Sequence, residues 1–122
     1  MKKLTTVLIA AGLLASASAC SAPQLTTAQT CDRMTAAVSG LGQDTNKTAA
    51  NRVANAIRPI EGVASDDMKP VVVSVLDYLD EQAKEEPTDE AAKAERAKKM
   101  EGLTQSFQEA GTKYGELCRG AQ

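Results

Sequence analysis

Residues 100–118, MEGLTQSFQEAGTKYGELC, carry Met100, Leu103, Phe107, Ala110, Tyr114 and Leu117 at alternating steps of three and four. That spacing draws one apolar seam down an α-helix, the heptad pattern of a bundle or coiled coil. Gly102, Gly111 and Gly115 each cost about 1 kcal/mol relative to alanine in a helix interior, so Gly102 is a place where this helix could break or bend. Working upstream, EAAKAERAKK at 90–99 is almost all strong helix formers, an exposed and stable start to the same helix. Thr88 is the expected cap, with Asp89 and Glu90 placed where acids favour the helix dipole.

Three further helices are expected before it. Thr26 and Gln29 fit a capping box, and Cys31, Met34, Val38 and Leu41 then follow helical spacing until Gly40 and Gly42 end the run. Asp44 or Thr45 can cap a second helix with a buried stripe of Ala49, Val53, Ala56, Ile57 and Ile60. Pro59 either stops that helix near Ile57 or lets it run on a turn towards Val63. The third starts between Asp66 and Lys69, since Pro70 belongs in a first turn. It buries Met68, Val72, Val75, Leu76 and Leu79. Val71-Val72-Val73 has strand propensity, but the spacing through Leu79 is helical.

The first nineteen residues are ordered as an export signal: basic Lys2 and Lys3, an apolar stretch from Val7 to Ala15, then small residues to Ala19. Nine apolar residues are too few to span a bilayer, which takes about twenty. The stretch ASAC, 17–20, resembles the lipobox of bacterial lipoprotein precursors, over residues 1–20 only. The resemblance implies cleavage before Cys20, a lipid on Cys20, and a membrane-anchored mature chain. The anchor lies in the outer leaflet of the cytoplasmic membrane, or in the outer membrane of a host that has one. Ala17-Ser18-Ala19 also suits an ordinary signal peptidase, which would give a secreted, unlipidated helical protein. Asn46-Lys47-Thr48 reads as a glycosylation sequon, a coincidence behind a bacterial-type leader.

With Cys20 set aside, Cys31 and Cys118 remain, an even number for an oxidising compartment, and they are expected to pair. Cys31 lies near the start of the first helix and Cys118 at the end of the last. An even number of antiparallel passes brings those two points together, so pairing favours four helices over a last helix folded back at Gly102.

Removing residues 1–19 leaves 103 residues, enough for one domain, with 12 basic and 16 acidic side chains and a net charge of −4. Nothing in that balance recommends nucleic acid or anionic lipid as a partner. Absence of histidine excludes His-dependent triads and His-ligated metals. Two cysteines cannot fill a tetrahedral zinc site alone. Asp77, Asp80 and Glu81 share a helix surface, where a solvated face is expected ahead of a weak calcium site. Glu95 with Lys99 and Asp80 with Lys84 are expected as i, i+4 surface pairs. Gly40-Leu41-Gly42 is a turn, and the small residues of GTKYG, 111–115, suit helix packing.

The sequence therefore specifies an all-α, up-down four-helix bundle, monomeric and clasped by Cys31–Cys118. The expected divisions are a leader at 1–19, a lipidated tether at 20–27, the helical domain at 28–118 and a tail at 119–122. Its expected function is that of a non-catalytic, cofactor-free binding or interaction module in the envelope, with a protein partner. The alternative is a carrier of a small apolar ligand between the helices.

Overall fold

The structure, a computed structural model, describes residues 22–42 and 46–121. The expected leader and Cys20 lie outside the described residues. Within them the chain is an all-α up-down bundle: α1 (Thr27–Val38), a 3-10 turn (Ser39–Leu41), α2 (Lys47–Glu61), α3 (Lys69–Ala83) and α4 (Glu90–Gly120).

Local chemistry sets each helix boundary. Thr26 Oγ1 accepts from the Gln29 amide at 3.2 Å and Gln29 Oε1 accepts from the Thr26 amide at 3.0 Å, closing both halves of the capping box on α1. Gly42, at φ +55°, takes the chain out of the 3-10 turn through the left-handed region. Asn46 caps α2 through the Ala49 amide at 2.8 Å, so the asparagine of the sequon serves the helix end. The expected caps Asp44 and Thr45 lie outside the described residues. Pro59 is carried inside α2, which continues to Glu61. Asn55, whose carbonyl loses its partner to the proline ring, is solvent-exposed, so water can take that bond.

At α4 the cap is Asp89 rather than Thr88: the Asp89 carboxylate accepts from the Ala92 amide at 3.2 Å. A carboxylate at the N-cap meets both the free amide and the positive helix end. The helix then runs 31 residues past Gly102 without a break. Neighbouring helices supply the contacts that outweigh the glycine cost.

The core is centred on α2 and α3, which pack together most extensively, followed by α3 with α4. Met34, Val53, Ile57, Met68, Val71 and Val72 are its largest fully buried apolar side chains. Every apolar residue expected on the buried face of α3 is buried. On α2, Ala56 is exposed while Ala50 and Ala54 are buried, because helices on two sides widen the stripe beyond the single row read from the sequence. Of α4, only Ala110 and Cys118 are buried outright. The rest of its seam is half-buried.

Cys31 and Cys118 are disulfide-bonded across 87 residues, with Cα atoms 5.6 Å apart, joining the start of α1 to the end of α4. The same end is stitched by the segment before α1. The Leu25 amide donates to Val63 O at 2.7 Å, Gln24 Nε2 to Ala64 O at 3.2 Å, and Thr27 Oγ1 to the Asp67 carboxylate at 2.8 Å. Residues 24–27, read from the sequence as tether, are thus docked on the α2–α3 loop, and α4 extends beyond Cys118 to Gly120.

Candidate functional site

The half-buried seam of α4 does not close completely on its neighbours. Phe107, Ala110, Gly111 and Tyr114 occupy positions i, i+3, i+4 and i+7, a single face, and look onto a half-open apolar cleft of about 420 Å³. Val71 and Val75 of α3 line it as well. The opposite wall is the second half of α1, through Met34 and Val38, with Leu41 of the 3-10 turn at its edge. Val38 is 38% exposed, an apolar side chain left at the rim. Behind Phe107, the Tyr78 ring stacks at a centroid distance of 4.4 Å and fixes that wall.

Gly111 sits in the middle of the α4 face, and a Cβ built there meets nothing within 4 Å. Gly111 therefore leaves open space beside the cleft, while Gly115 lies against the Arg119 guanidinium, 3.9 Å from a built Cβ. Among the described residues, no charged side chain lines the cleft. Its hydroxyls belong to Thr35, Ser39 and Tyr114. Thr35 Oγ1 donates to Cys31 O at 2.9 Å and Ser39 Oγ to Ala36 O at 2.7 Å. The Tyr114 hydroxyl reaches across from α4 to α1, its one proton going either to Thr35 Oγ1 or to Cys31 O 3.4 Å away. Together with the disulfide below, this bond ties α1 to α4 at the foot of the cleft.

The carboxylates singled out in the sequence do not form a site. Asp77 is exposed, and Asp80 makes a two-pronged ion pair with Arg58, at 2.6 and 3.1 Å. Glu81, expected on a solvated face, is 6% exposed. Its carboxylate accepts from Lys99 Nζ at 2.7 Å and Lys84 Nζ at 2.9 Å, with Arg96 Nε 3.8 Å away. These lysines hold its carboxyl below the usual range, the Lys99 hydrogen bond most strongly. Arg96 in turn donates to the carbonyls of Glu81, Lys84 and Glu85, satisfying the open end of α3. Glu81 thus draws in Lys99 and Lys84, which sequence spacing assigned to Glu95 and Asp80, and Asp80 takes Arg58 instead, because α2, α3 and α4 converge there. A carboxylate ringed by cations holds the bundle together and has no room for calcium.

No protein-family model, curated protein or solved structure matches the chain. The cleft itself was missed by sequence reading. Its available signal was Gly111, the smallest residue at the centre of an apolar face.

Proposed function

We propose that the mature protein is an exported, non-catalytic binding module, anchored through a lipid on Cys20, whose working site is the apolar cleft between α1, α3 and α4. The cleft carries the reading: it is apolar, uncharged, half-open, and within the volume range of small-molecule pockets. Since a cavity of about 150 Å³ holds benzene, this one suits a ligand of roughly fifteen non-hydrogen atoms. That favours the small-ligand carrier over a module that works only through a protein partner.

The leader and the ASAC motif support the anchor. With Gln24 fixed to the bundle, the four peptide units from Cys20 reach about 14 Å, so the clasped end would lie close to the membrane. Intact mass of the membrane fraction tests this: a species beginning at an acylated Cys20 is expected, and an unacylated soluble chain would remove the anchor.

Binding is tested by titrating the protein with N-phenyl-1-naphthylamine, a neutral fluorophore of suitable size. At roughly 0.3 kcal/mol per non-hydrogen atom it should bind one to one with a sub-millimolar Kd. Gly111→Phe, which fills the cleft, should weaken binding at least ten-fold. Non-saturable binding, or equal binding by the variant, would sink the proposal.

A further inference from the structure

The cleft is short for its volume. On α4 its wall runs from Phe107 to Tyr114, about 10 Å at 1.5 Å per residue. Described residues of the same helix set both limits. One turn before Phe107, Leu103 lines a separate polar hollow with Glu81 and Lys99. One turn after Tyr114, Cys118 is bonded to Cys31. Over that length a volume of about 420 Å³ corresponds to a mean cross-section of roughly 40 Å². Six carbons of benzene occupy a cavity of about 150 Å³, roughly 25 Å³ per carbon. An extended alkyl chain built of C–C bonds of about 1.52 Å advances about 1.25 Å per carbon, so it is roughly 20 Å² in section, half of what the cleft offers. About eight carbons therefore reach from end to end, fill roughly half the volume, and leave any further carbon in water. Resting on the proposed ligand site, we infer that the cleft takes a compact apolar molecule of two or three fused rings in preference to a linear alkyl or acyl chain. Gly111 is the specificity-determining residue: it keeps the section wide at a point of the α4 wall where a built Cβ meets nothing within 4 Å.

A long chain has two ways to use such a space, and each has a cost. Extended, its carbons past the end of the cleft bury no surface and add no affinity. Folded back to fill the width, it must immobilise its torsions. A rigid fused ring fills the width without either loss. The aromatic wall suits it as well. Tyr78 covers one face of the Phe107 ring at a centroid distance of 4.4 Å, so Phe107 offers the cleft its other face or its edge, and aromatic pairs form in both arrangements. Met34, on the opposite wall, brings a thioether that adapts to an irregular outline.

The experiment is displacement of N-phenyl-1-naphthylamine from the protein by 1-hexanol, 1-octanol, 1-decanol and 1-naphthaleneethanol. Each buried methylene is worth about four-fold in affinity, so the step from hexanol to octanol should gain about fifteen-fold. The step from octanol to decanol should gain less than three-fold, because the last two carbons overhang. 1-Naphthaleneethanol carries four more non-hydrogen atoms than octanol within the length of the cleft, and at the per-atom efficiency applied to the fluorophore it should bind about eight-fold tighter. In Gly111→Leu the ring compound should lose at least five-fold while octanol stays within two-fold of wild type. A gain above five-fold from octanol to decanol would show that the cleft takes chains, and would overturn the inference while leaving the ligand site standing. So would a ring compound no tighter than octanol, or equal losses of both in a folded Gly111→Leu protein. The alcohol series on the wild-type protein decides the matter even where that variant does not fold. If none of the four compounds displaces the fluorophore, the ligand site itself is wrong, which separates the two failures.

Discussion

Opening the Cys31–Cys118 bridge should remove a large part of the stability of the bundle. The bridge spans 87 residues of chain, and the chain-entropy relation gives about 4.6 kcal/mol for a loop of that length. Small domains are stable by only about 5–15 kcal/mol in total. At about 4–8 °C per kcal/mol for a domain near 100 residues, Tm should fall by roughly 20 °C or more. The loss should be concentrated at α1, whose 12 residues cannot hold a helix alone and which meets α4 less extensively than α3 does. Cys31 and Cys118 are 4% and 8% exposed, so reductant must be added before a heating and cooling cycle. The Cys31→Ala/Cys118→Ala variant provides the same comparison without reductant. Calorimetry or circular dichroism gives the melting shift, and fluorophore titration below the new Tm reports whether the α1 wall of the cleft persists. A shift under 5 °C in both the reduced protein and the variant would refute the loop argument. Retained fluorophore affinity would refute the claim that the bridge holds α1 in place.

Two further outcomes follow from particular side chains. Gly111→Phe should raise stability by up to about 1 kcal/mol, because it recovers part of the glycine helix penalty at an exposed position where a built Cβ meets nothing within 4 Å; a variant melting below wild type would show that the ring is not accommodated there. Glu81→Gln should destabilise the protein in a pH-dependent way. The folded carboxyl lies below its ordinary 4.5, so its contribution is full above that pH and is lost as pH falls through the depressed folded value. The gap between wild type and variant should thus be constant from pH 5.5 to 7 and narrow below 4.5; urea melts showing a gap that does not change with pH would exclude this role.

Features governed by a few adjacent residues were legible in the sequence. The capping box of Thr26 and Gln29, the first-turn proline at 70 and the buried face of α3 are local, and the structure repeats them. Helix parity was legible as well, because two cysteines at opposite ends of the chain can meet only after an even number of passes. Features that depend on which helices converge were not. Lys99 and Lys84 each had an acid at the spacing of an i, i+4 pair, yet both turn to Glu81, whose burial only the approach of α4 to α3 creates. Ala56 and Ala54 differ by two positions on α2, and nothing local says which faces a neighbour.

The cleft belongs to that second kind, because it lies where the second half of α1 faces Phe107–Tyr114 of α4 without filling the space between them. At 1.5 Å per residue α4 is about 46 Å long and α1 about 18 Å. The seam on α4 runs past the end of α1, which Gly40 and Gly42 turn away, so among the described residues α1 walls only the part of the seam nearest the disulfide. At the point where α1 still faces α4, position 111 contributes no side chain. Leucine there would remove most of a 1 kcal/mol helix penalty and bury apolar surface. Substitutions of that kind are among the easiest stabilising changes to make in a protein. A glycine that costs stability in an apolar cleft wall is a local conflict with the fold, and such conflicts concentrate at functional sites. The sign of two measurements decides it: if Gly111→Phe gains stability and loses ligand, the cavity is the function of the bundle. If it gains stability and binding is unchanged, the cavity is an unfilled gap.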